Sequence, residues 1–300
     1  MVRSRGLLLV FGLVILIGAV YSKGTIISTG SGAQEDKVVI SLGQDLTDEQ
    51  KKSVLEYLSP STRGKELTYI TVSNQEERRY LEGLVDESLI GTKAISSVYC
   101  ELFNQSKGIE VKTNNITDIT PFMYANALST AGIENARVVV TAPFKVSGTA
   151  ALTGILKAFE SASGERLDEE AKQTAHLEIA EVSKLGKKLG KTNAEKIIYE
   201  AKRQVVEKGI SDPEEIKKIV LEVSADVNVN LSQEEVDRIV KLMQQYGHIN
   251  LSIDGLNQQL KGLSRNVAEI KNSGRETASI FKQLLRALRN LMVSIQNAIS

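Results

Sequence analysis

The chain has no tryptophan, one cysteine, two histidines and four prolines, and aromatic residues make up only 5 % of it. Each shortage removes a class of function. With so few rings there is little material for a face that stacks on sugars or nucleobases. Cys100 alone cannot form an internal disulfide. His176 and His248 stand far apart in sequence, so a His/Cys metal centre is nearly excluded, whereas a carboxylate site stays open. Lysine plus arginine (37) equals aspartate plus glutamate (37), so no overall field draws the chain to nucleic acid or anionic lipid. There is no GxxxxGK[ST] phosphate loop, and neither a metal nor a cofactor is expected.

What is present begins at the N-terminus. Arg3 and Arg5 precede an apolar run over residues 7–20. A basic start followed by a run of this length is the pattern of a signal peptide or an uncleaved signal anchor. Val20 and Ser22 are small enough for a cleavage site after Ser22, and both outcomes stay open. The positive-inside rule then puts the rest of the chain outside the cytoplasm, secreted or anchored to the cell membrane. Residues 23–35 form a Gly/Ser/Thr linker. Asn104, Asn115, Asn230 and Asn250 each open an Asn-x-Ser/Thr triplet and are glycosylation candidates if the chain is exported by a glycosylating cell.

Three hundred residues with 42 % apolar content suggest about two domains. Residues 36–164 read as α/β. Strands are expected at Lys37–Leu42, Leu67–Val72, Ala94–Phe103, Ile109–Thr113 and Val138–Ala142. Thr47 with Gln50 forms a capping box, and Asn74 with Glu77 is expected to cap the next helix. Pro60 to Gly64 reads as a loop. The stretch NQSKG, Asn104 to Gly108, signals a hairpin. In the third strand Ser96, Val98 and Cys100 should share one face, Ser97 and Tyr99 the other. Thr120 and Pro121 open a short helix.

The segment VVVTAPFKVSGTAALTGILKAF, Val138 to Phe159, organises this half. It reads as a buried strand, a loop over residues 143–146, and a helix capped by Ser147. Lys145, Ser147, Gly148 and Thr149 offer an ammonium, two hydroxyls and backbone N–H groups at a helix start, which suits an anion such as a carboxylate, phosphate or sulfate. Lys145 and Ser147 also define a competing hydrolase reading, with lysine as base and serine as nucleophile. Cys100 reads as a small buried hydrophobe. Asp45, Asp48 and Glu49, or Asn114, Asn115 and Asp118, lack EF-hand spacing and read as solvated loops.

Residues 165–250 read as helices, marked by Leu167, Ala171, Ala175, Val182, Leu185 and Leu189, then by stripes ending at Gly209, following Pro213, and following the Ser232/Glu235 capping box. In residues 251–300 Leu256, Leu260, Leu263, Val267 and Ile270 step by three and four, and Phe281, Leu284 and Leu288 resume the phase. A continuous helix there would span roughly 70 Å. The stripe either packs on the chain's own helices or joins a second copy or another protein. Lys282, Arg286 and Arg289 also suit a membrane surface.

In order along the chain, KVVISLGQDLTDEQ, VSNQEERRYLEG, IGTKAISSVYCEL, GIEVKTNNITDIT, YANALSTAGIENARVVVTAPFKVSGTAALTGILKAFE and NVNLSQEEVDRIVKLM are similar to the exported prokaryotic family known as domain of unknown function 1002. The resemblance covers roughly Asp36 to the Leu251–Leu263 region and is most specific over Tyr124 to Glu160. It implies export and this architecture, and it transfers no catalytic residue. The expected fold is α+β: a mixed sheet covered by helices, then an all-helical part with a long heptad-patterned C-terminal helix or hairpin. The expected role is a non-enzymatic binding or assembly protein, with an unidentified protein or a second copy met by the C-terminal helix, the membrane met through residues 7–20 if these are retained, and no nucleic acid.

Overall fold

The structure is a computed structural model that describes residues 37–103, 107–249 and 251. Among these, five strands form one sheet: β1 (Val38–Gly43), β2 (Leu67–Val72), β3 (Ser97–Leu102), β4 (Ile109–Ile116) and β5 (Ala136–Val146), in the order β2-β1-β3-β5-β4. The pairs β1–β2 and β4–β5 are parallel, and β3 runs antiparallel to both β1 and β5. Four strands therefore point one way and β3 points back. The burial follows the order. Every residue of β1 is buried, as in a strand covered on both faces, whereas β2 at the edge is mostly open. Val38, Ile40, Leu42, Tyr99 and Val139 face one side, packed with Val54 and Leu58; Val39, Val98, Cys100, Val138 and Val140 face the other. The expected alternation of Val98 and Cys100 against Tyr99 holds.

Two expectations about the sheet are overturned. The stretch ending at Gly108 does not make a hairpin, because β5 lies between β3 and β4 and pairs with both. The run Val138–Thr141 is the longest β-branched stretch of the sheet and loses least when ladder-bonded on both sides. The more polar β4 is left at the edge, with Lys112 exposed and Thr113 and Asn114 half-buried. Residues 143–146 are not a loop either. They continue β5 to Val146, and Pro143 is accommodated where β4 carries a bulge between Asn114 and Ile116.

Helix α1 (Asp48–Thr62) starts at the Thr47/Gln50 capping box and covers the face with Tyr99 and Val139. It runs through Pro60 rather than ending there. A proline in the last turn leaves the remaining helix bonds intact more easily than one at the centre. Helix α2 (Asn74–Leu81) is capped one residue earlier than expected: Ser73 and Glu76 close the box. The short α3 (Glu87–Ile90) has no clear sequence signature. Helix α4 (Pro121–Thr130) begins at Thr120 and α5 (Thr149–Ser163) covers the second sheet face.

Helices α6 (Glu169–Leu189), α7 (Lys191–Lys208), α8 (Pro213–Asp226) and α9 (Gln233–Tyr246) bury the predicted stripes and stop at or near Gly190, Gly209, Val227 and Gly247. One cluster of buried side chains runs from the β3–β5 face through α4 and α5 to α9. Inside it sits a polar knot. Lys202 on α7 is 0 % exposed and Glu178 on α6 is 1 % exposed. Their charged atoms lie 3.2 Å apart. Lys202 also donates to the Asn126 carbonyl at 3.0 Å and to Thr130 Oγ1 at 2.7 Å, and Tyr246 Oη donates to Glu178 Oε2 at 2.8 Å. Burial pushes the Lys202 ammonium down and Glu178 partly restores it. The knot ties α4, α6, α7 and α9 together.

Among the described residues no helix is long and apolar enough to cross a membrane. The apolar run at residues 7–20, the linker and the heptad positions Leu256, Leu260, Leu263, Val267, Ile270, Phe281, Leu284 and Leu288 lie outside the described residues.

Candidate functional site

The four parallel strands deliver their carboxyl ends to one edge of the sheet, the edge at which open α/β sheets collect ligands. Here the chain leaves β1 through Asp45 and Thr47, leaves β4 through Thr117 and Asp118, and leaves β5 into α5. With α3, the approach to β3 and Glu77 of α2, these segments enclose a cleft of about 500 Å³. That is the size of a small-molecule site. All of Lys145, Ser147, Gly148 and Thr149 line it, so the four residues singled out from the sequence lie on one wall.

Their roles differ from the expected ones. The N-cap of α5 is Gly148, not Ser147, and no side chain caps the helix. Gly148 has φ +98°, and a Cβ there would sit 2.5 Å from Ile116 Cγ2 and 2.6 Å from Tyr124 Oη. Only glycine fits this turn. Tyr124 Oη donates to the Gly148 carbonyl at 2.5 Å, and the backbone of Asp118 donates to the Ser147 carbonyl at 3.2 Å. Ser147 Oγ instead donates to the Leu89 carbonyl at 2.6 Å, and Thr149 Oγ1 donates to the same carbonyl at 3.0 Å. The two hydroxyl oxygens are 3.2 Å apart. Both hydroxyls are therefore tied to α3, and the Thr149 hydroxyl also stands beside Glu77. Lys145 is exposed at the mouth.

The residue that the sequence reading missed is Glu77. It is 1 % exposed and lines the cleft. Its Oε2 accepts from Asn74 Nδ2 at 3.2 Å, while Oε1 has no hydrogen-bonding partner among the described residues. Burial drives its carboxyl up to about 7, against weaker stabilisation of the anion by Thr149, Asn74 and Arg78. A signal for it exists. Glu77 lies four residues before Leu81 and so on the apolar face of α2, and reading the cap as Ser73/Glu76 frees its side chain to turn inward.

An acid raised this far weakens the fold as it ionises. Between pH 4.5 and about 7 the unfolded Glu77 is charged while the folded one keeps its proton, so stability falls as pH rises through that window and levels above it. Glu77→Gln should remove this slope. Relative to wild type, the variant should gain about 2–3 kcal/mol on going from pH 4.5 to pH 8. Urea denaturation at the two pH values reads the difference. Glu195, also raised to about 7 by burial, contributes equally to both proteins and cancels. Equal slopes in wild type and variant would show that Glu77 is not buried as described.

A smaller cleft of about 220 Å³ lies between α2, α5 and α6. Its charges are matched locally: Lys157 meets Glu76 at 2.5 Å, and Lys172 meets Glu160 at 3.2 Å and Glu169 at 2.9 Å. His176 lies buried beside it, stacked on Tyr80 with ring centroids 4.4 Å apart, and burial lowers it to about 4, which keeps it neutral. Cys100 is buried and its thiol is pushed up to about 12 by burial and by Glu101, so it is no nucleophile at neutral pH. Among the described residues no group of three or more His, Cys, Asp or Glu is arranged to hold a metal. Asn115 is half-buried and donates to the Ala142 carbonyl at 2.9 Å, Asn230 is exposed, and Asn104 and Asn250 lie outside the described residues.

Fold and site together define an α+β protein whose mixed sheet opens, at its carboxyl edge, into a cleft with a buried acid. The chain belongs to the family described as Protein of unknown function (DUF1002), which matches residues 42–263. It is similar to the "Uncharacterized protein YpuA" of Bacillus subtilis (strain 168), with 35 % identity over 263 residues, 87 % of this chain and 88 % of that protein. No solved structure matches it.

Proposed function

We propose that this chain is an extracytoplasmic, non-enzymatic binding protein that seats a small ligand in the carboxyl-edge cleft. It is exported or held at the membrane by residues 7–20, and its C-terminal heptads meet a protein partner or a second copy. The observation that carries the ligand seat is Glu77: a buried acid with an unpartnered oxygen at the wall of a cleft costs stability, and a ligand that completes its bonds offsets that cost. The N-terminal pattern of Arg3, Arg5 and the following apolar run supports the location.

The competing hydrolase reading finds less support. The Ser147 hydroxyl hydrogen goes to the Leu89 carbonyl, which cannot act as a base, and Thr149 is its other neighbour. A nucleophilic serine needs a base within hydrogen-bond reach. The test is thermal denaturation of the full chain against a panel of amines, amino acids, carboxylates and phosphates at millimolar concentration. At least one class should raise the melting temperature by several degrees, an effect that Ser147→Ala weakens without unfolding the protein. A panel without any shift, or ester turnover abolished by Ser147→Ala in a protein of unchanged stability, would overturn the proposal. Protease treatment of intact cells should degrade the protein, and full protection would sink its external location.

A further inference from the structure

The polar inventory of the cleft goes further than its existence and, resting on the binding reading above, names the chemistry of the ligand. We infer that the cleft takes a primary ammonium group, held by Glu77 Oε1 with the hydroxyl oxygens of Ser147 and Thr149.

Beside the N–H groups that open α5, the inner wall presents three side-chain oxygens. Glu77 Oε1 has no donor among the described residues. Ser147 Oγ gives its hydrogen to the Leu89 carbonyl and so presents lone pairs, and Thr149 Oγ1 is tied to the same carbonyl. The hydroxyls are 3.2 Å apart, and Thr149 lies against Glu77. An ammonium carries three N–H donors and no acceptor, and three acceptor oxygens on one wall match it. A planar guanidinium would ask for a two-oxygen carboxylate edge, but Glu77 Oε2 is already engaged by Asn74.

The charge balance points the same way. Glu77 makes no ion pair among the described residues. On its own helix Arg78 is turned away, bonded to the Gly91 carbonyl at 2.8 Å and paired with Glu87 at 2.8 Å. From α4, Tyr124 spends its hydroxyl on Gly148. The other charged groups around the cleft are Asp45, Asp118, Lys93 and Lys145. Both lysines are exposed at the mouth, where water screens them, whereas Glu77 is buried. With Glu77 ionised, three carboxyls face two lysines. An anion would meet those acids, with only the uncapped start of α5 and the exposed lysines to receive it; a cation supplies the counter-charge that buried Glu77 lacks.

The consequence is a coupling to pH. Glu77 titrates near neutrality, so an ammonium that needs its carboxylate should bind about tenfold more tightly at pH 8 than at pH 6 and release a proton on binding at the lower pH. Isothermal titration of the full chain with n-butylamine, 1-butanol and butyrate, in two buffers of different ionisation heat, tests this. Trialanine with a free and with an acetylated amino terminus distinguishes a peptide end from a free amine. The expected result is binding of butylamine, or of trialanine only with its free terminus, strengthened at pH 8 and lost in Glu77→Gln. Equal affinity for butylamine and butanol, or unchanged amine binding by Glu77→Gln, overturns the ammonium assignment. Butyrate binding without amine binding also overturns it but leaves the cleft as a ligand site. No binding of any probe, together with an unresponsive ligand panel, sinks both.

Discussion

Lys202→Met is expected to cost about 3–5 kcal/mol of folding stability, because it leaves Glu178 charged, buried and without its counter-ion. The pair is enclosed at 0 % and 1 % exposure, so no water can replace the lost partner. The damage should spread over four helices, since Asn126 and Thr130 of α4, Glu178 of α6 and Tyr246 of α9 all meet at Lys202 or its partner. Urea denaturation measures it. Lys202→Met combined with Glu178→Leu should recover part of the loss, because an apolar pair carries no uncompensated charge although Tyr246 Oη loses its Glu178 acceptor. A loss below about 1 kcal/mol in the single variant would mean that the knot is open to solvent, contrary to the geometry.

Gly148→Ala should cost nearly as much by a different route. The left-handed backbone at φ +98° costs a side-chain-bearing residue about 1–3 kcal/mol. The new methyl adds overlap with Ile116 and Tyr124, for which overpacking costs of about 1–3 kcal/mol are typical. Relief by moving Tyr124 would break its 2.5 Å bond to the Gly148 carbonyl. Gly164→Ala is the control. Gly164 has φ +77° at the far end of the same helix, but a Cβ there meets nothing within 4 Å. It should show only the backbone part, with a fall in melting temperature of roughly 2–4 °C per kcal/mol in a protein of this size. Equal losses at the two glycines would show that the approach of Ile116 and Tyr124 to Gly148 is looser than the geometry states.

The two variants touch different features and should leave different traces. Lys202 does not line the cleft and acts on the packing of the helices. Gly148 sets where the Ser147 and Thr149 hydroxyls stand, because its turn fixes the chain between β5 and α5. A Gly148→Ala protein that still folds should therefore lose ligand response at the cleft, whereas a Lys202→Met protein, measured where it remains folded, should keep it.

Local elements could be read from the chain because their causes are local. Thr47 with Gln50, Ser232 with Glu235, Pro213 after Asp212 and the glycines at 190, 209 and 247 sit within four residues of the helix ends they mark. The β-branched run Val138–Val140 announced a buried strand, and three- and four-residue spacing announced the buried faces of α6 to α9. The family was also legible, in segments that fall almost wholly within the matched residues 42–263. Where local signals competed, they misled. Pro60 and Pro143 suggest breaks that tertiary packing overrides, and Asn74 competes with Ser73 for the cap because both residue types accept from a helix N-terminus.

By itself, then, the sequence determined the strands, most helices and their ends, the apolar faces, and the wall segment from Lys145 to Thr149. Tertiary structure alone decided the strand order, because pairing depends on which edges meet in space and not on their distance along the chain. It alone made Lys202 and Glu178 partners across 24 residues. It turned Glu77 from the expected capping partner of Asn74 into a buried acid. A carboxyl acquires that character only from what surrounds it, and what surrounds Glu77 is the turn at Gly148, the hydroxyls of Ser147 and Thr149 and the carbonyl of Leu89, brought in from distant parts of the chain.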